Sequence, residues 1–253
     1  MTTIVMVHGA FCGGWAFETF REPFEAAGFN VLAPDLRGHG QEDAAQRVVG
    51  VSMADYAADI AELCQGLSEP PILLGHSMGG LVAQLASSKV PLEALVLLAP
   101  SPPWGVSGSS LEEAITAFGV QVMGPFSSGA VEPDKGLMRR YSLDRMPEAE
   151  REAVVRRMHA ESGLAVRETL NWWLDPFMTT SVGPGRLAAP ALVIVGDGDV
   201  VHPPATARQT ADRIGASLRV MPGMSHWLVG EPGWEEVAAQ VTHWLSEEAR
   251  AAA

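Results

Sequence analysis

The sequence has few cysteines and few basic residues. Cys12 and Cys64 are the only cysteines among 253 residues, and 17 basic residues stand against 30 acidic ones. Two cysteines cannot build a disulfide framework, so we expect a reducing compartment. A net charge of −13 repels phosphate backbones and anionic membrane surfaces. We therefore expect neither nucleic acid nor a membrane as a partner.

Several other signals are absent as well. The first residues contain no basic stretch and no apolar run long enough for export or for a membrane span, so we expect a cytoplasmic protein. The sequence has no HExxH motif, no paired CxxC motifs and no GxGxxG after a strand. We expect no metal and no cofactor.

What the sequence does contain is an alternation of strands and helices. Hydrophobic residues make up 47% of the chain and charged residues 19%, which is typical of a globular protein. Short apolar runs predict six strands, at 3–7, 30–33, 71–74, 95–99, 191–195 and 218–221. Helical spacing between them predicts helices at 15–27, 52–67, 78–88, 205–214 and 234–248. Continuous apolar strands separated by helices indicate an α/β fold with a parallel sheet covered on both faces.

The alternation is interrupted between residues 101 and 186. A capping box from Ser110 to Glu113 predicts a helix over 111–123, and two more helices are predicted from Met146-Pro147 onward and over 164–174. This segment carries a net charge of −2, and the remainder carries −11. We interpret 1–100 and 187–253 as one core domain and 101–186 as an inserted helical lid.

The strongest chemical signal is the sequence LGHSMGG at 74–80. It contains G-x-S-x-G directly after an apolar strand and directly before a helix, where a nucleophilic serine requires it. The tight turn strains the backbone, and Gly75 and Gly79 leave room because they lack a Cβ. The pattern predicts Ser77 as a nucleophile at a helix N-terminus.

A nucleophilic serine requires a histidine base. His226 lies in the Gly-rich loop after the last strand, where ligand sites collect in α/β sheets, and we predict it as the base. His202 also follows a strand and is the main rival, although the prolines after it favour a structural loop. His159 and His243 are predicted in the middle of helices.

The base requires an acid to orient it, and an acid follows another strand. The sequence VGDGD at 195–199 offers Asp197 and Asp199. We predict Asp199, which lies further into the loop, and keep Asp197 as the alternative. Simple turn formation would also explain either residue.

Acyl transfer also requires hydrogen-bond donors for the oxyanion. The first strand ends in the glycine-flanked loop VHGAFCGGW at 7–15, and we predict the Ala10 and Met78 N–H groups as the two donors. We interpret His8, His39 and His76 as structural residues.

These motifs together resemble the α/β-hydrolase superfamily. The resemblance covers nearly the whole chain, through VHGAFCGGW, DLRGHG, GHSMGG, VGDGDVVHPP and PGMSHW in order. It implies a serine hydrolase with an α/β-hydrolase fold, a mostly parallel sheet of about six strands and a helical lid. The first loop is similar to that of the small methylesterase and hydroxynitrile lyase group, which supports Ala10 as a donor. The lyases carry a Lys after the catalytic His, whereas Trp227 follows His226 here, and this disfavours cyanohydrin cleavage.

The substrate is predicted from apolar residues that could surround Ser77. The candidates are Phe11, Trp104, Phe118, Met123, Phe126, Trp172, Trp173, Phe177, Met178 and Trp227. They favour esters of small apolar or aromatic molecules as substrates. The alternatives are hydrolysis of a carbon–carbon bond, a lactone or a thioester, perhydrolysis, and a binding protein without catalysis.

Overall fold

The structure is a computed structural model that describes residues 1–40, 44–108, 129–185 and 187–251. Its strands are β1 (Thr3–Val7), β2 (Asn30–Leu32), β3 (Ile72–His76), β4 (Ala94–Leu98), β5 (Ala130–Val131), β6 (Glu161–Ser162), β7 (Ala191–Gly196) and β8 (Ser217–Met221). Six of them form one sheet in the order β2-β1-β3-β4-β7-β8, and β5 and β6 form a small antiparallel pair. All pairs in the large sheet are parallel, which confirms the predicted fold class.

The apolar strand sequences follow from burial on both faces of the sheet. In β1, Ile4 and Met6 belong to one hydrophobic core, and Val5 and Val7 belong to the other. Successive side chains of a strand point to opposite faces, so a strand between two cores needs an apolar residue at every position.

The helices cover both faces. They are α1 (Glu18–Ala26), α2 (Ala44–Arg47), α3 (Met53–Gln65), α4 (Met78–Ser87), α5 (Lys135–Leu137), α6 (Glu148–Arg157), α7 (Gly163–Leu170), α8 (Pro204–Ile214) and α9 (Trp234–Ala251). Residues of α1 and α9 pack into the first core, and residues of α3, α4 and α8 pack into the second. Ser52 and Asp55 form a capping box at the start of α3 that fixes its N-terminus.

The described part of the segment between β4 and β7 contains α5 to α7 and two further short helical turns. One turn is a π-helix at Met138–Ser142 and the other a 3₁₀-helix at Trp172–Leu174. The predicted helix after Met146-Pro147 is present as α6. The helix predicted over 164–174 ends at Leu170. The helix predicted over 111–123 lies outside the described residues.

The position predicted for His159 is wrong. The α6 helix ends at Arg157, because Met158 adopts an extended conformation with φ −68° and ψ 141°. His159 therefore lies beyond the helix, while His243 lies within α9 as predicted. In the part of the chain that the structure describes, no helix combines the length and the apolar character that crossing a membrane requires.

Candidate active site

Ser77 lies on the sharp turn between β3 and α4. Its backbone has φ 53° and ψ −123°, a conformation that L-amino acids rarely adopt. Its N–H donates to the carbonyl oxygen of Leu98 at 3.0 Å, and its carbonyl oxygen accepts from the N–H groups of Gly80 and Ser101 at 2.9 Å each. These three hydrogen bonds hold the strained residue in place at the N-terminus of α4.

The glycines on either side of Ser77 are required by close backbone approach. A Cβ on Gly75 would overlap the backbone of Gly79, and a Cβ on Gly79 would overlap the carbonyl oxygens of Val7 and His8. Each of these contacts is with main chain, which cannot rotate away as a side chain can. The turn is therefore packed directly against the end of β1.

The structure brings Ser77, His226 and Asp199 into one hydrogen-bonded chain. His226 Nε2 lies 3.1 Å from Ser77 Oγ, and His226 Nδ1 lies 2.9 Å from Asp199 Oδ2. The three residues lie on loops that follow β3, β8 and β7. These strands are parallel, so their carboxyl ends meet at the same edge of the sheet.

The environment of Asp199 keeps it ionised. Burial alone would raise the pKa of Asp199, but the charge and hydrogen bond of His226 and further contacts with His202 lower it below its ordinary value. Asp199 Oδ1 accepts the N–H groups of Val201 at 2.8 Å and His202 at 2.9 Å. An ionised carboxylate only accepts, so His226 Nδ1 carries the proton and Nε2 is free to accept from Ser77.

The alternative acid, Asp197, and the alternative base, His202, have other contacts. Asp197 accepts the Gly223 N–H at 2.9 Å in an exposed position, and its described contacts do not include His226. His202 Nε2 lies 3.0 Å from Ser101 Oγ, so this histidine is paired with a different serine.

Two further histidine rings enclose the ring of His226. The ring centroids of His76 and His202 lie 5.1 Å and 5.3 Å from that of His226. Burial and the nearby His226 lower the pKa of both His76 and His202 to about 3. Both rings are therefore neutral at physiological pH. His76 Nε2 donates to the carbonyl oxygen of His226 at 2.9 Å, which fixes the backbone of that residue. The sequence motifs did not indicate the position of His202 beside His226.

The two predicted oxyanion donors lie beside Ser77. Ala10 and Met78 both line the same cavity as Ser77. Within the described ranges neither N–H group has a hydrogen-bond acceptor. The loop that carries Ala10 is held by His159, whose N–H donates to the carbonyl oxygen of Phe11 at 3.1 Å. Phe11 itself has a positive φ of 65°.

His8 and His39, interpreted as structural residues, both make buried hydrogen bonds. His8 Nε2 accepts the Leu36 N–H at 3.0 Å, and its Nδ1 donates to the Gly9 carbonyl at 2.9 Å. Burial lowers the pKa of His8 to about 4, so it stays neutral. His39 Nε2 lies 3.0 Å from Glu161 in a buried pair.

A cavity of about 430 Å³ opens over Ser77. Four of the predicted wall residues line it, namely Phe11, Trp172, Trp173 and Trp227. Trp104 is not among the lining residues; it packs edge-on against Trp172, with 5.2 Å between the ring centroids. Phe177 and Met178 do not line the cavity either, and both are exposed to solvent. Phe118, Met123 and Phe126 lie outside the described residues.

Sequence reasoning missed much of the wall. Seven further aliphatic, methionine or aromatic residues among the described part of the 101–186 segment line the cavity: Val106, Leu137, Met138, Tyr141, Met158, Val166 and Leu170. The spacing of Val166 and Leu170 by four residues places them on one face of α7 and could have indicated this. The described lining residues include no Asp, Glu, Lys or Arg. Across all the described residues, no cluster of side chains is suited to hold a metal ion.

Comparisons with known proteins agree with this architecture. The model of the alpha/beta hydrolase family matches residues 4–240. The chain is 27% identical to a monoacylglycerol lipase of Mycolicibacterium smegmatis, with 96% of this chain and 87% of that protein covered. It is 39% identical to salicylic acid-binding protein 2 of Nicotiana tabacum over 111 residues, which is 42% of each protein.

Solved structures give the same result. An extracellular alpha/beta-hydrolase from a Paenibacillus species superposes with a TM-score of 0.73 at 18% identity, covering 96% of this chain and 98% of that chain. A thermophilic esterase from Thermogutta terrifontis superposes with a TM-score of 0.70 at 25% identity, covering 98% and 90%. The match of the family model over most of the sequence shows that the chain belongs to the alpha/beta hydrolase family.

Proposed function

We propose that the protein is a serine hydrolase that cleaves carboxylic esters of small, apolar or aromatic molecules through an acyl-enzyme. The observation that carries the proposal is the hydrogen-bonded chain from Ser77 Oγ through His226 to the buried Asp199. Nucleophilic catalysis by serine requires a nucleophile, a base and an ionised acid. The strained Ser77, His226 with its free Nε2 and the ionised Asp199 supply these parts.

The first half of the reaction forms the acyl-enzyme. Ser77 Oγ attacks the ester carbonyl carbon while its proton passes to His226 Nε2, and Asp199 stabilises the resulting imidazolium. The Ala10 and Met78 N–H groups donate to the oxyanion. The tetrahedral intermediate then collapses, the carbon–oxygen bond breaks, and the alcohol leaves with the proton from His226.

The second half releases the acid. Water gives a proton to His226 Nε2 as its oxygen attacks the acyl carbon, and the same two N–H groups hold the second oxyanion. Collapse breaks the bond to Ser77 Oγ, which recovers its proton from His226. The carboxylic acid is released, and the site returns to its starting state.

The cavity supports an uncharged and largely apolar substrate. Its described wall contains aromatic, aliphatic and methionine side chains with a few neutral polar groups. A charged substrate would lose its hydration in such a cavity without gaining a partner of opposite charge. The volume of about 430 Å³ lies in the range of small-molecule sites.

The names of related proteins support ester chemistry. They include a monoacylglycerol lipase, methylesterases of Arabidopsis thaliana and a pyrethroid hydrolase of Sphingobium wenxiniae. We propose that the 101–186 segment acts as the lid of this site, because it supplies much of the described cavity wall. The cytoplasmic location stays a prediction.

The decisive experiment combines covalent labelling with turnover. A fluorophosphonate probe is expected to label the wild-type protein at Ser77, and a panel of chromogenic esters is expected to be cleaved. Ser77→Ala should abolish labelling and lower kcat by roughly 10⁴- to 10⁶-fold. Ser88→Ala is the matched control, since its hydroxyl donates locally to the Leu85 carbonyl at the end of α4, outside the cavity. A wild-type protein that is neither labelled nor active would overturn the proposal.

A further inference from the structure

One buried carboxyl group near the site has no part in the chain from Ser77 to Asp199. Glu231 lies in the turn between the His226 loop and α9, and its side chain is completely buried. Its Oε1 accepts the Ser225 N–H at 2.5 Å. Its Oε2 has no hydrogen-bond partner in the described part of the protein. A buried acid with one unpaired oxygen is costly for stability, which points to a role beyond packing.

Glu231 holds the backbone directly beside the base. Its carboxyl group binds the N–H of Ser225, the residue before His226, and its own N–H donates to the Trp227 carbonyl at 2.9 Å. On the other side, His76 Nε2 donates to the His226 carbonyl. Buried side chains from different parts of the chain therefore hold the backbone at the Ser225 N–H, before His226, and at the carbonyl of His226 itself.

The charge of Glu231 also acts on His226. The charged groups around it are His226, which favours its ionised form, and Asp144 and Asp199, which oppose it. Burial is the largest influence, and together these effects raise the pKa of Glu231 to about 7. The group therefore changes charge in the range where a histidine base operates.

We propose that Glu231 is a positioning residue for His226. Glu231 aligns His226 through the Ser225 N–H and stabilises the protonated form of His226 by its charge. The inference rests on the proposed function, in which His226 becomes an imidazolium in each half-reaction. Glu231 touches neither the substrate nor the reacting atoms, and it acts only through the histidine loop.

Two variants separate the two effects. Glu231→Gln keeps an oxygen that can accept the Ser225 N–H but carries no charge at any pH. Glu231→Ala removes both the acceptor and the charge. Glu235→Gln is the matched control, because this exposed glutamate in the first turn of α9 loses the same charge four residues away.

We expect Glu231→Gln to lower kcat about tenfold above neutral pH with KM unchanged, and to shift the pH profile of kcat to lower pH. Glu231→Ala should lower kcat further, because the Ser225 N–H is then buried without a partner. Glu235→Gln should match the wild type. If kcat and its pH profile stay at wild-type values in both Glu231 variants, the proposal is overturned, even where Glu231→Ala lowers the melting temperature.

A measurement without turnover separates this inference from the proposed function. The ring signal of His226, identified by its absence in His226→Gln, can be followed by NMR as a function of pH. Its titration midpoint is expected to move to lower pH in Glu231→Gln and to stay unchanged in Glu235→Gln. A protein without esterase activity that still shows this movement would refute the proposed function but keep the coupling. An active enzyme without the movement would refute the role of Glu231 alone.

Discussion

The buried pair of His39 and Glu161 offers a sharp test of how the 101–186 segment is attached to the sheet. Glu161 lies in β6, and its Oε2 is 3.0 Å from His39 Nε2 in the loop after β2. Its Oε1 accepts the Tyr56 hydroxyl at 2.6 Å and the Ser162 N–H at 2.7 Å. Both side chains of the ion pair are fully buried. We predict that Glu161→Ala strongly destabilises the protein.

The magnitude follows from what the substitution leaves behind. Removing one partner of a buried ion pair costs about 3–5 kcal/mol, because the other charge remains buried without compensation. For a chain of this size, each kcal/mol lowers the melting temperature by about 2–4 °C, so a loss of about 4 kcal/mol predicts a decrease of roughly 8–16 °C. Glu161→Gln also removes the counter-charge of His39 but keeps an acceptor for Tyr56 and Ser162, so it should cost less than Glu161→Ala.

The dependence on pH gives a second check. Burial would raise the pKa of Glu161, but His39 and Tyr56 lower it below 4.5, so its contribution to stability is lost as pH falls through that lowered value. Burial would lower the pKa of His39, but Glu161 raises it above 6.5, so its contribution is lost as pH rises through that raised value. The difference between wild type and Glu161→Gln should therefore be largest between pH 4.5 and 6.5.

Thermal unfolding followed by circular dichroism at several pH values measures both effects. The control is Glu152→Ala, which breaks the surface pair with Arg139 and should change the melting temperature little, since exposed ion pairs contribute little. A Glu161→Ala variant within about 1 kcal/mol of the wild type would refute the reasoning. So would a difference between wild type and Glu161→Gln that grows steadily toward alkaline pH.

Three further substitutions test the site. Asp199→Asn should lower kcat about 10⁴-fold with the fold intact, whereas Asp197→Asn should retain nearly full ester hydrolysis; equal losses would contradict the assignment of the acid. Gly79→Ala should lower the yield of folded protein and the rate of fluorophosphonate labelling, since its Cβ would overlap backbone oxygens at the end of β1, and normal labelling would argue against that contact. Trp172→Ala should raise KM for bulky apolar esters several-fold in steady-state assays, and Phe177→Ala, at an 85% exposed position away from the cavity, should not.

Local patterns in the sequence predicted the sheet and the turn at Ser77. The strands were predictable because burial on both faces requires a continuous apolar run, as in β1 and β4. The turn at Ser77 was predictable because only glycine tolerates the backbone approach at positions 75 and 79. The strand-end rule also predicted that the loops with Asp199 and His226 would lie on the same edge as Ser77.

The cavity wall was less predictable, because its residues depend on how short helices sit over the sheet. Trp104 and Trp172 are both large apolar residues of the inserted segment, yet only Trp172 lines the cavity and Trp104 packs behind it. Composition cannot separate two such residues. Packing decides which of the two lines the cavity, because it sets the face that each helical turn presents to Ser77.

The sequence by itself determined the fold class, the sharp turn that carries Ser77 and the order of the chemical groups along the chain, since each depends on neighbours within a few residues. Only the tertiary structure decided that Asp199 and not Asp197 contacts His226, that His202 pairs with Ser101, and that Glu231 lies buried against the histidine loop. Hydrogen bonds between residues far apart in the sequence leave no periodic pattern, because they depend on the relative position of whole strands and loops.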